Sequence, residues 1–434
     1  LNNRANYFKY IEDYDNAILD YSSCIELEPE NANYYKNRAN CYNSLKDFNN
    51  ALFDFTRAID LDPYNVYRYI DRADFQRKIE EFDFALKDYD KAISISNDIY
   101  SKSISINNRA LIYEQIDSNY LALSEYTKLT VLHPLERLYW SNRGLRYKEI
   151  GDYEKAILDF TKAIELEVTE STPDYLSNST VYSYRANSYF MNGNNNNALL
   201  DFNKIIDLDS TNCSWYILRA HFLKNQKKYD LALLDYNKII ELTSIKKNIF
   251  FLDTIVDYYS ERAALYVLMK DYDSANNDID IALKLDSNNV SAYLCRAKIF
   301  KVKKDYKKEK NEYLKIIKIN NENPTPYYYL ALLYLNQNKY FEAISYFSKA
   351  IERLKIDNDY NIVLSDDLQN IYSKETIQYN NTDAWLYSSI MSLSDLYLER
   401  AKIFKTVNSI ELMCEDYKNS CNLGDCELFN SNCK

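Results

Sequence analysis

Small and aromatic residues return along the chain in a fixed order. A small residue stands at Ala5, Ala39, Ala73, Ala110, Gly144, Ala186, Ala220, Ala263, Ala297, Ala331 and Ala401. Six of the ten steps between these anchors are 34 residues, and the other four are 37, 42, 43 and 70. Aromatic rings recur four residues before the anchor, as at Tyr35, Trp140, Tyr182 and Tyr293, and three after it, as at Tyr42, Tyr113, Tyr147 and Tyr189. Such offsets share one helical face. Twelve residues past the anchor comes an Ala in nine units, from Ala17 to Ala343, and sixteen past it a Tyr or Phe in ten. The pattern predicts two antiparallel helices per unit that approach at the small residues while rings fill the space on either side. Neither helix can bury its face alone, so successive units must stack.

An arginine precedes the anchor in ten units: Arg4, Arg38, Arg72, Arg109, Arg143, Arg185, Arg219, Arg262, Arg296 and Arg400. An acid stands just before the second-helix ring in the same ten: Asp20, Asp54, Asp88, Glu125, Asp159, Asp201, Asp235, Asp278, Glu312 and Asp416. The tenth unit has Leu330 and Tyr346 at these two positions, so both partners vanish together. That coincidence predicts pairing within a unit, because pairing with the next unit would strand Glu312 and Arg400. A planar guanidinium engages a carboxylate through two bonds, and an unpaired charge at a buried seam is costly. The arginines therefore read as architecture and not as a ligand-binding array. Glu309 and Met413 replace the second small residue in the ninth and eleventh units.

The unit Tyr35, Ala39, Tyr42, Ala51, Phe55, Ala58, Pro63 resembles the tetratricopeptide repeat (TPR), and the resemblance covers nearly the whole chain. It implies an all-α fold, a right-handed α-solenoid of about eleven antiparallel helix pairs. Residues 1–355 are expected to hold about ten repeats, the first truncated, 356–390 an insertion forming a mobile loop or a short helix, and 391–434 a final repeat with a capping helix. Shorter insertions fall around 94–103, 168–179 and 244–256, each between two repeats. "NGNNNN" at 192–197 reads as a tight turn within one helix pair. The chain opens at Leu1, without Met and inside a helical pattern, and reads as a fragment or processed product, so a signal peptide upstream stays open. Cytoplasmic residence is favoured.

Composition narrows the chemistry. Only 4 Gly and 6 Pro in 434 residues leave little room for hairpins. The longest apolar candidate, "YYYLALLYL" at 327–335, is about half of what a membrane span needs. A net charge of −11 argues against nucleic acid as partner, and the lysine run "KVKKDYKKEK" at 301–310 reads as a solvated turn. Four scattered glycines cannot build a phosphate-binding loop, and His133 and His221 are the only histidines. The reading is therefore not an enzyme, with no cofactor and no metal. Cys24, Cys41, Cys213 and Cys295 are isolated and read as buried fillers. Cys414, Cys421, Cys426 and Cys433 crowd the end, with a spacing of seven that places each pair on one helical face. Reduced fillers of the capping helix lead the readings. One or two disulfides, as in Sel1-like relatives that this end resembles, or a Cys₄ zinc site, stay open.

What the resemblance implies about function is a protein-interaction scaffold with a concave groove lined by the first helices. The alternative is a regulatory or substrate-docking region of a larger enzyme or of a secretion or assembly complex. Counting groove positions from each anchor gives nine basic and four acidic residues, a net +5 that leaves −16 on the rest of the chain. Lys224, Lys298 and Lys301 combine there with apolar Val267, Leu294, Tyr328, Leu332 and Leu335, which predicts a partner-binding groove for an extended or helical segment with acidic and apolar side chains. Lys36 and Asn40 resemble the opening pair of a clamp for chaperone C-termini, but Asp74, Asn107 and Leu111 then stand where an amide and two cations belong, so no such clamp is expected.

Overall fold

The computed structural model describes residues 1–166, 177–245, 252–356, 362–363, 390–391, 393–423 and 427–433. These contain 23 helices, the first twenty-two in eleven consecutive pairs. Two bodies are separated near residue 209. In the N-terminal body, repeats 1 to 6 are α1 (Asn2–Tyr10) with α2 (Tyr14–Leu27), α3 (Ala32–Ser44) with α4 (Phe48–Leu61), α5 (Val66–Lys78) with α6 (Phe82–Ile95), α7 (Ile99–Gln115) with α8 (Asn119–Leu132), α9 (Arg137–Glu149) with α10 (Tyr153–Glu165), and α11 (Asn178–Met191) with α12 (Asn195–Leu208). In the C-terminal body, repeats 7 to 11 are α13 (Cys213–Asn225) with α14 (Tyr229–Ile245), α15 (Leu252–Leu268) with α16 (Tyr272–Leu285), α17 (Val290–Val302) with α18 (Tyr306–Ile319), α19 (Pro324–Leu335) with α20 (Tyr340–Ile356), and α21 (Leu393–Thr406) with α22 (Ile410–Asn422), followed by α23 (Glu427–Asn432). Within each body the second helix of one repeat packs on the first of the next. The fold is an all-α solenoid, as the periodicity required.

With so few Gly and Pro, side-chain caps punctuate the chain. Asp13, Asp47, Asp152, Asp271 and Asp305 accept a backbone N–H at the start of second helices, and Asn31, Asn65, Asn212, Asn289 and Asn323 do so at first helices. Inside each pair, the residue seven past the anchor turns the chain with positive φ. It is Gly151 or Gly193 in two repeats, but Glu, Lys, Asp or Asn in the other nine. A left-handed residue with a Cβ is strained by roughly 1–2 kcal/mol, so the tight turn is held by the packing of the pair and not by the turn residue.

The anchors and the small residues facing them are fully buried, and so are most of the second-helix rings, among them Tyr21, Tyr89, Tyr126 and Phe160. Gly144 has its reason in this seam, since a Cβ there would lie 2.9 Å from the ring of Phe160. Met413 fits the core in place of a small residue. The insertions expected around 94–103 and 244–256 are absorbed in part by long helices, since α7, α14 and α15 have 17 residues each. Most of 168–179 and of 356–390 lies outside the described residues. Two short strands of the latter pair antiparallel, β1 (Ile362–Val363) with β2 (Ile390–Met391), Ile362 opposite Met391.

Candidate functional site

The arginine and acid pairs come first because they fix the joints on which any groove depends. All ten close within their own repeat, at 2.6 to 3.1 Å. Arg143 is representative: Nε and Nη2 each donate to one oxygen of Asp159 at 2.7 Å. Seven of the guanidinium groups also lie 4.8–5.9 Å from the ring four residues before the anchor. In repeat 10 the missing pair is replaced by a ring stack, Tyr334 on Tyr346 at 5.4 Å, and Lys310 Nζ donates to Tyr334 Oη.

The remaining guanidinium nitrogen makes a contact the sequence reading missed. Nη1 of Arg38, Arg72, Arg185, Arg262 and Arg400 donates to Ser22, Thr56, Thr161, Asn237 and Ser348, and Arg109 and Arg296 reach Asp90 and Asp280. Each partner belongs to the preceding repeat, two residues past its acid or, in the repeat lacking the acid, past Tyr346. One side chain thus ties its own helix pair and the joint to the previous pair. Arg143 uses Thr130 instead, at 2.8 Å. The signal was present: before the one repeat without arginine, the corresponding residue is Leu314.

The proposed groove residues of the C-terminal body divide by depth. Lys298, Lys301, Leu332 and Leu335 are half-buried on the first helices of repeats 9 and 10. Lys224, Val267, Leu294 and Tyr328 are instead buried, which corrects their placement on an open surface. Val267 packs in the core of repeat 8, and Leu294 and Tyr328 belong to the large cluster around α19. Lys224 is only 4% exposed and donates to Glu261 Oε2 at 3.0 Å, an oxygen that also accepts from Tyr236 Oη at 3.2 Å. Burial acts to raise the Glu261 carboxyl, but the charge of Lys224 and the hydrogen bonds from Lys224 and Tyr236 hold it below its ordinary value. Burial pushes His221 beside them down to about 4, so this imidazole is neutral. Lys301 occupies the same offset as Lys224, but the next repeat offers it Tyr329 where Lys224 meets Glu261.

Glu309 adds a feature to the floor below Lys301. It is 2% exposed, Oε1 accepts from Tyr313 Oη at 3.3 Å, and Oε2 has no hydrogen-bond partner among the described residues. Burial pushes this carboxyl up to about 7, opposed by Lys301 and by the Tyr313 hydrogen bond.

In the N-terminal body, Asp74 accepts from Tyr89 Oη and from Asn108 Nδ2, which places this acid, held by neighbours, where a carboxylate clamp would need an amide. His133 Nε2 lies 2.6 Å from Ser103 Oγ, while Ser103 also donates to the Ile99 carbonyl. No carboxylate orients that imidazole among the described residues, and the contact fastens α7 to the loop after α8.

At the C-terminal end, the reading of reduced fillers is corrected. Helix α23 folds against α22 and brings Cys433 to Cys414, with which it forms a disulfide at a Cα–Cα distance of 5.6 Å. Cys421 is also disulfide-bonded, and Cys426 lies outside the described residues. Same-face spacing pointed to sulfurs along each helix, whereas the bond forms across the hairpin. Cys24, Cys41, Cys213 and Cys295 are free and, apart from half-buried Cys213, buried. Among the described residues no cluster of His, Cys, Asp or Glu could hold a metal, and no helix is long and apolar enough to cross a membrane.

Comparison with known proteins bears on the repeat. Tetratricopeptide repeat models match residues 32–65, residues 324–355, and residues 1–31 together with 139–167. Those residues carry tetratricopeptide repeats. No curated protein matches the chain. Among solved structures it is similar to yeast Tom70, at 18% identity over 98% of this chain and 91% of that chain, with a TM-score of 0.45. The C-terminal part of a TPR repeat-containing protein from Cytophaga hutchinsonii is similar at 19% identity over 68% of this chain and 99% of that chain, TM-score 0.45. YrrB, a TPR protein with an unusual peptide-binding site, is similar at 18% identity over 44% of this chain and 92% of that chain, TM-score 0.36.

Proposed function

We propose that the protein is a non-enzymatic interaction scaffold that takes an extended or helical segment bearing acidic and apolar side chains along repeats 9 and 10. The observation that carries this reading is the pairing of half-buried cations with half-buried apolar residues on successive first helices: Lys298 and Lys301 on α17, Leu332 and Leu335 on α19. Each pair is spaced i, i+3 and so shares a helical face. A cation held partly out of water attracts a carboxylate more strongly than a solvated one, and the leucines supply contacts that slow release. Lys224 takes no part, because Glu261 already neutralises it. Peptide display against the intact chain should enrich acidic and apolar sequences, and Lys298→Glu with Lys301→Glu should weaken the best binder at least tenfold without changing the helical melt. Undiminished binding would place the site elsewhere. The disulfide at the C-terminal end is a reason to favour an oxidising compartment over the cytoplasm, and eight titratable thiols in the unreduced, denatured protein would refute that placement.

A further inference from the structure

Within each body, stacking of like helix pairs sets the turns between paired helices on one edge and the connections between repeats on the other. The two edges differ in charge. Connections between repeats are acidic in both bodies, with Glu28, Glu30, Asp62, Asp98 and Glu136 in the first and Asp286 and Glu322 in the second, and no Lys or Arg among the described ones. The turns between paired helices change sign instead. In repeats 1 to 6 they hold seven acids against Lys46, a net −6, and in repeats 7 to 11 six lysines against Asp271 and Asp305, a net +4. Glu12, Glu80, Glu81 and Asp117 are exposed on the first set and Lys227, Lys228, Lys270, Lys303 and Lys304 on the second. No ion pair engages any of them among the described residues.

Backbone conformation singles out the same positions. At the left-handed residue seven past each anchor stand Glu12, Glu80 and Asp117 in the first body, and Lys227, Lys270 and Lys304 in three consecutive repeats of the second. Gly or Asn adopts that conformation at less cost, so charge is held at these turns against the local preference, with one sign per body apart from Lys46. We propose that this edge is a self-association surface, on which the acidic turns of repeats 1 to 6 in one copy of the chain meet the basic turns of repeats 7 to 9 in a second copy. A second copy is the fitting occupant because it carries the complement of each set, a match that the uniformly acidic opposite edge does not offer. Exposed pairs are individually weak, so several turns must act together. The contact loosens as ionic strength rises, because the screening length falls from about 30 Å at about 0.01 M salt to about 8 Å at about 0.15 M. Neither Lys298 nor Lys301 belongs to these turns, so self-association and groove binding are separable.

Sedimentation velocity of the full chain at low and high salt reads the association, together with two charge-reversed forms. One carries Glu12→Lys, Glu80→Lys, Glu81→Lys and Asp117→Lys, and the other Lys227→Glu, Lys228→Glu, Lys303→Glu and Lys304→Glu. The unaltered chain should self-associate at low salt and come apart at high salt, and each reversed form alone should associate at least tenfold more weakly. An equal mixture of the two should regain the affinity, since each supplies the sign that the other lacks. An unaltered chain that stays monomeric at low salt, a reversed form that associates as well as the unaltered one, or a mixture that stays apart would overturn the proposal. So would binding of the unaltered chain to phosphatidylserine vesicles without self-association, which would assign the basic turns to a membrane surface. Circular dichroism checks that each form keeps its helices; should a reversed form fail to fold, neutral Lys227→Gln with Lys304→Gln takes its place and must still weaken association at least threefold.

Discussion

Replacing Arg143 with leucine isolates the joint chemistry of the whole array. The substitution removes two bonds of 2.7 Å to Asp159 and leaves that carboxylate at a seam where its side chain is 6% exposed. Breaking a buried pair by removing one partner costs about 3–5 kcal/mol, and the 15% exposure of Arg143 argues for the lower end. Thr130 loses its guanidinium partner but still donates to the Thr127 carbonyl at 2.9 Å, so it adds little. Combining Arg143→Leu with Asp159→Tyr copies repeat 10. The new ring would face Tyr147 as Tyr346 faces Tyr334, an arrangement worth about 0.5–1.5 kcal/mol beyond burial. The stranded charge is gone as well, so the double variant should regain about 2 kcal/mol over the single one. Urea denaturation by far-UV circular dichroism gives the midpoint, and amide exchange on α9 and α10 localises the loss, which matters because a repeat array can open in part. If single and double variants unfold alike, the charge stranded at the seam is not what the arginine prevents.

Two further outcomes follow from buried positions. Gly144→Ala restores the residue used at every other anchor, yet it should destabilise by up to about 2 kcal/mol, since overpacking costs about 1–3 kcal/mol against a helix-propensity gain of about 1; the added Cβ would meet the fully buried Phe160 ring at 2.9 Å, and a raised melting midpoint would refute the clash. Glu309, with a pKa of about 7 in the fold against 4.5 as its ordinary value, keeps a proton that the unfolded chain has released between those limits. Its contribution is therefore lost as pH rises from 4.5 through 7, by up to about 3 kcal/mol. Glu309→Gln should flatten that part of the stability profile, and an unchanged slope between pH 5 and pH 8 would show that the carboxyl is not buried as described.

What the sequence disclosed and what it concealed differ in kind. Contacts set by residue type at a fixed offset were legible, since an anchor with nothing beyond Cβ, a facing ring and an Arg with its acid sixteen residues on all recur, and the joint loss at Leu330 and Tyr346 fixed their pairing. The inter-repeat bond of the third guanidinium nitrogen was harder to see because its acceptor varies among Ser, Thr, Asn and Asp. The left-handed turn was nearly invisible, since only Gly151 and Gly193 mark it by type. Depth was concealed altogether. Lys224 and Lys301 hold the same offset, and only the neighbouring repeat, Glu261 in one case and Tyr329 in the other, decides that the first is buried and neutralised. The disulfide was hidden for a related reason: spacing along one helix does not report how the next helix folds back.

Four departures from the repeated pattern fall together. Glu309, Leu314, Leu330 and Tyr346 all fall in repeats 9 and 10, and the 70-residue step follows directly. The joint between these repeats has no arginine of repeat 10 to hold it. Tyr313 stacked on Tyr329 at 5.5 Å and the apolar cluster around α19 take that role. An apolar joint has a consequence that an ion-paired one lacks: its rings can extend a hydrophobic surface to a further element without leaving a charge uncompensated. That is what α19 does in receiving β1. Local rules tend to be broken where a protein does something besides fold, and in an array of near-identical repeats the one without the pair stands out against ten that keep it. The same residues that make repeat 10 a poor match to its neighbours let the joint between repeats 9 and 10 close on rings and apolar side chains instead of on a guanidinium.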